Sequence, residues 1–62
     1  MEEKEFLTIK NAAKLLDCSE KQIRRFIEKD MLKAADIGTG KRRIYRIPRE
    51  EIMRFVEERM TG

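Results

Sequence analysis

Apolar residues at Ile9, Ala12, Ala13 and Leu16 follow the i, i+3, i+4, i+7 spacing that lays one side of an α-helix against a core. Thr8 stands just before them, where its hydroxyl can accept from the first free backbone N–H groups and cap the helix. The two alanines leave space for a second helix to approach closely. That second helix is announced by "DCSEKQ", in which Ser19 and Gln22 have the spacing of a capping box and start a helix at about Glu20. Ile23, Phe26 and Ile27 form its apolar stripe, which fades near Asp30 to Leu32. Two short helices joined by only Asp17 to Ser19 are the pattern of a helix-turn-helix. Beyond them the period changes to two. Residues 33–38 and 43–47 read as short strands joined through Gly38-Thr39-Gly40-Lys41-Arg42, whose glycines are expected to supply the positive φ of a hairpin turn. Alternation turns Tyr45 and Ile47 inward and leaves Ile44 and Arg46 on the wet face. Pro48 suits the first position of a third helix, with Glu50 and Glu51 at its positive end. Ile52, Phe55, Val56 and Met60 make that helix's buried stripe. The expected organisation is a charged, flexible tail at residues 1–5 and a single domain over residues 6–60. Its class is mainly α with a small β-hairpin.

Sixty-two residues permit one modest core and leave little room for a deep pocket, so no small-molecule substrate and no cofactor are expected. Charge changes the picture more than size does. From Glu20 to Arg49 ten basic residues face four acidic ones, a net of +6, while the whole chain is only +3 and the remainder therefore −3. A basic middle between acidic ends points to a polyanionic partner on one face. One cysteine excludes an intrachain disulfide and fits a reducing, cytoplasmic setting. No apolar run approaches a membrane span and no signal-peptide pattern opens the chain.

The candidate chemistry lies in that basic middle. "GTGK" fails as a phosphate loop, because G-x-x-x-x-G-K-[ST] needs glycine at position 35 and a hydroxyl at 42, where Ala35 and Arg42 stand. On the second helix, Lys21, Arg25 and Glu28 oppose the apolar stripe, with Gln22 and Arg24 on its flanks. Lysine and arginine suit phosphates and guanine edges, and glutamine suits adenine, so this face reads as a DNA-reading surface rather than an ordinary solvated one. At the hairpin tip Lys41, Arg42 and Arg43 exceed what protection of a strand edge requires and suit a minor groove or the flanking backbone. Tyr45, among arginines, has neither a histidine nor another base to activate it, and its inward register assigns it to packing. Cys18 also lacks a basic partner. With no histidine there is no zinc site, and no residue is assigned a catalytic role. Met53 and Met60, seven residues apart at the edge of the third helix's stripe, either seal the rim of the core or offer an adaptable contact to a protein partner or a second copy.

From Phe6 to Glu58 the chain resembles the excisionase-type, MerR-like winged helix-turn-helix family. The resemblance rests on Leu7-Thr8-Ile9 before the Ala12-Ala13 and Leu15-Leu16 pairs, on Ser19 opening the second helix, on the block Ile23-Arg24-Arg25-Phe26-Ile27, and on "YRIPREEI" after the wing. It implies a second helix in the major groove and a wing on the neighbouring groove or backbone. The family's DNA-contacting positions fall on Lys21, Gln22, Arg24 and Arg25 in the helix and on Lys41, Arg42 and Arg43 in the wing. It further implies an accessory factor that bends or organises duplex DNA for an integrase excising a mobile element, with cooperative self-association on the DNA. A small MerR-like transcriptional regulator, or an adaptor that binds protein instead, are the rival readings. Asp17 departs from the family's usual glycine, so a non-glycine residue must hold a glycine-friendly turn.

Overall fold

A computed structural model describes residues 5–60 of the chain. Along it run β1 (Phe6–Leu7), α1 (Ile9–Leu16), α2 (Glu20–Glu28), β2 (Ala35–Asp36), β3 (Tyr45–Pro48) and α3 (Arg49–Arg59). Of the expected tail, residues 1–4 lie outside the described residues. Glu5 is tied down, since its carbonyl accepts from the Arg49 backbone N–H at 2.9 Å and its carboxylate pairs with the Arg49 guanidinium at 3.4 Å.

Both expected N-cap bonds form, although among the described residues no bond from the Gln22 side chain back to Ser19 completes the capping box. The Thr8 hydroxyl accepts from the Asn11 N–H at 3.0 Å and the Ser19 hydroxyl from the Gln22 N–H at 3.1 Å. Each satisfies one of the donors a helix start leaves without a partner. The two helices also end alike. After α1, Asp17 is left-handed (φ 54°), Asp17 N–H donates to the Lys14 carbonyl and Cys18 N–H to that of Ala13. After α2, Asp30 is left-handed (φ 60°), Asp30 N–H donates to the Ile27 carbonyl and Met31 N–H to that of Phe26. Both are Schellman closures with aspartate where glycine is usual. Asp17 was legible as a strained turn, and Asp30 was not.

The sheet differs from the expected hairpin. It has three strands in the order β1-β3-β2, all antiparallel, with Leu7 opposite Ile47 and Asp36 opposite Tyr45. β1 was not anticipated, because two residues carry no detectable period. The wing strands are also shorter than 33–38 and 43–47, and only one further bond, Ile37 N–H to the Ile44 carbonyl at 2.8 Å, extends their ladder. Neither wing glycine has the left-handed φ expected of it. Gly38 is needed for closeness instead. A Cβ there would collide with the Arg42 carbonyl oxygen and sit 2.8 Å from the Ile44 nitrogen, whereas the corresponding space at Gly40 is open.

The buried cluster gathers Leu7, Ala12, Ala13, Ile23, Leu32, Ile47, Ile52 and Phe55 from every element except β2. Each large aliphatic side chain in it stabilises the fold by about 1.5–3 kcal/mol. Phe26 meets Phe55 with ring centroids 4.8 Å apart, in a tilted arrangement that suits their quadrupoles. Two expectations are corrected here. Tyr45 is only half-buried and lies outside the cluster. Met60 does not continue the α3 stripe, because the helix ends at Arg59, whose guanidinium covers the Phe55 ring at 3.9 Å and leaves Met60 73% exposed. Met53 is exposed as well, so neither methionine seals the core. The result is a small, mainly helical winged helix-turn-helix.

Candidate nucleic-acid interface

α2 presents Lys21, Arg24 and Arg25 to solvent, with Gln22 half-buried beside them. The cap at Ser19 fixes where the helix starts, and Ile23 at its centre is fully buried, so the outward set is held in register by packing. Among the described residues Lys21, Arg24 and Arg25 pair with no carboxylate.

The wing is built around Asp36. Its Oδ1 accepts from the Gly38 N–H at 3.0 Å and from the Ile44 N–H at 3.2 Å, bracing the loop where the strands part. Further out, the Arg42 N–H donates to the Thr39 carbonyl at 3.0 Å, closing the turn that carries Lys41. Arg43 donates from Nη1 to the Tyr45 hydroxyl at 3.5 Å. That hydroxyl first, and the charges of Tyr45 and Asp36 after it, hold the Arg43 guanidinium above its ordinary range.

Between the wing and the helix pair runs a shallow groove of about 250 Å³, lined by Lys10, Arg24, Arg42, Arg43, Tyr45 and Arg46. Thr8, Ile9 and Ile44 complete it. Five of its residues are basic and none is acidic. Three of the seven residues singled out in the sequence, Arg24, Arg42 and Arg43, therefore meet on one surface. Lys21, Gln22, Arg25 and Lys41 do not line the groove.

Lys10 and Arg46 were not anticipated. Alternation along β3 already placed Arg46 on the wet face, but nothing in the sequence says which helix that face looks toward. Arg46 Nη1 donates to the Tyr45 carbonyl at 3.0 Å, which anchors its guanidinium to the strand.

Across residues 6–60 the chain matches the family model of a helix-turn-helix domain. The chain belongs to that helix-turn-helix family. It is a DNA-binding family that includes excisionase-like proteins, so sequence-specific DNA binding is the activity supported for this helix-turn-helix chain. No curated protein and no solved structure matches the chain.

The rest of the helix-turn-helix surface offers little chemistry. The Cys18 thiol is pushed up by burial and then by the Asp17 carboxylate, which keeps it protonated and a poor nucleophile at neutral pH. Among the described residues no group of three histidine, cysteine, aspartate or glutamate side chains could hold a metal, and no helix is long and apolar enough to cross a membrane.

Proposed function

We propose that this helix-turn-helix chain is an excisionase-type architectural factor, binding duplex DNA beside the attachment site of a mobile element and organising it for an integrase. The observation that carries the reading is the groove that brings Arg24 on α2 together with Arg42 and Arg43 on the wing, with no acidic residue in its lining. A helix in the major groove and a wing on the adjoining backbone then engage one duplex together. Lys21, Gln22, Arg24 and Arg25 are assigned to the N-terminal half of the recognition helix, where base edges are read. Lys41, Arg42 and Arg43 are assigned to the phosphates and the neighbouring groove. Met53 is exposed on α3 and Met60 just past its end, and neither contributes to the groove. They are the surface assigned to the recombinase or to a second copy. The protein itself carries out no chemistry and acts in the cytoplasm, where the element's DNA lies.

A genome-wide pull-down of bound DNA, followed by titration of the recovered duplexes, tests the reading. Sites are expected to cluster at the ends of an integrated element, and Arg25→Ala is expected to cost about 1–3 kcal/mol and relax preference at one base position. Sites spread over promoters would make the protein a transcriptional regulator. Binding to no duplex would overturn DNA recognition altogether.

A further inference from the structure

Lys10 belongs to neither the recognition helix nor the wing, yet it lines the same groove as Arg24, Arg42 and Arg43. It is exposed and pairs with no carboxylate among the described residues. Arg46 enters from the central strand, its guanidinium fastened to the Tyr45 carbonyl through one of five N–H groups. The Tyr45 hydroxyl accepts from Arg43, which leaves its own proton free to donate. The lining itself holds five cations and no carboxylate, with Asp36 and Glu28 acting on Arg43 from outside it, and an anion seated there meets several cations at once. The donors are of the kind that suits phosphate oxygens: planar guanidinium forks, an ammonium and a hydroxyl. In a helix-turn-helix the first helix crosses the sugar-phosphate backbone, and Lys10 lies in the first turn of α1.

We propose that this groove is a backbone-phosphate site, in which Lys10 and Arg46 hold a phosphodiester of the strand that passes between the recognition helix and the wing. The inference rests on the DNA-binding reading and adds two positioning residues to it. They set the register of the protein on the duplex and read no base. The groove thereby joins helix and wing into one continuous track along a single strand.

Lys10→Gln is the test variant, because the side chain makes no contact that folding requires. Its thermal melt is measured alongside wild type to establish that it is folded. Each phosphate contact adds about 0.9 to the slope of log affinity against log salt. Lys10→Gln is therefore expected to lower that slope by up to about 0.9 and to bind up to about 8-fold more weakly at 0.1 M salt, equally on specific and unrelated duplexes. Arg46→Gln is expected to do the same, and Arg46→Lys, which keeps the charge, to recover most of the loss. A methylphosphonate scan locates the contact. One neutralised phosphate is expected to weaken wild type, to weaken Lys10→Gln less, and to leave the Lys10→Gln, Arg46→Gln double variant unchanged. Inorganic phosphate at fixed ionic strength separates a strand phosphate from a free one, and is expected to displace duplex no better than chloride does.

A wild-type slope in folded Lys10→Gln and in Arg46→Gln would overturn the site while leaving DNA binding in place. So would a loss confined to one base sequence, or selective displacement by inorganic phosphate. Absence of any duplex binding by wild type would overturn the DNA reading, and this site with it.

Discussion

Asp17 at φ 54° and Asp30 at φ 60° hold backbone that costs an ordinary L-residue about 1–2 kcal/mol. Each also places a carboxylate at the negative end of the helix it terminates, an unfavourable arrangement of charge and dipole. Glycine removes both penalties and returns about 0.5–1 kcal/mol through its freer unfolded chain. Asp17→Gly and Asp30→Gly are each expected to stabilise the protein by about 1 kcal/mol, a rise of roughly 4–8 °C in Tm for a domain of this size, read by thermal denaturation. Unchanged melting would mean that the aspartate side chains recover the backbone cost through contacts of their own. The aspartates also show how unevenly residue roles can be read from sequence. Asp17 is conspicuous because it stands where the family that the chain resembles usually has glycine. Asp30 sits in a run of polar residues where no spacing marks it, and only the chain path after Phe26 exposes its task.

Among the elements, the wing depends most on a few groups. β2 and β3 share little ladder, and the Asp36 carboxylate supplies the next two acceptors for the Gly38 and Ile44 N–H groups. A hydrogen bond to a charged acceptor contributes about 1.5–3 kcal/mol. Asp36→Ala is therefore expected to speed hydrogen exchange at Gly38 and Ile44 by at least about tenfold and to weaken duplex binding, while the helical circular dichroism of α1 and α2 stays intact. Unaltered exchange at both amides would remove Asp36 from the wing's support. The helix starts were legible to within a residue, since caps are local signals, but α2 ends at Glu28, short of the Asp30 to Leu32 where its stripe was expected to fade. The strands were not legible in this way. β1 is two residues long, and its pairing partner Ile47 lies forty positions beyond Leu7. Gly38 was legible as necessary but for the wrong reason: a sequence displays a glycine without displaying the carbonyl that crowds it.

At the scale of the whole molecule, charge is divided between a basic groove lined by no carboxylate and an α3 of three arginines and four glutamates. Arg54 donates to both oxygens of Glu51 at 3.3 and 3.0 Å and to Glu58 at 2.7 Å. The Arg54 hydrogen bonds hold the Glu51 carboxyl below its ordinary value of 4.5 against the opposing effect of burial, with Lys33 assisting. A carboxyl lowered by folding stabilises the native state above its unfolded value and loses that contribution as pH falls through the folded one. Thermal stability is thus expected to decline as pH drops below about 4.5, and Glu51→Gln is expected to show a shallower decline over that range. An identical pH profile in the variant would place the acid sensitivity elsewhere. The candidate site was legible in part on this same scale. Arg24, Arg42 and Arg43 could be chosen from composition and spacing. Their meeting with Lys10 and Arg46 is a property of how the sheet folds back beside the helices, and no single segment carries it.

β3 lies between both other strands, and this arrangement has a temporal consequence. α1 and α2 are neighbours in the chain and can pack as soon as both have formed. β1 has no partner until residues 47 and 48 exist, and β2 has none until 45 and 46 do. As the chain is made from its N-terminus, the helical pair precedes the sheet, and the long closure of β1 onto β3 comes near the end. Lys10 and Arg46 line one groove, and only the folded sheet brings them to it. A partly made chain can display the recognition helix, but it cannot yet grip a strand.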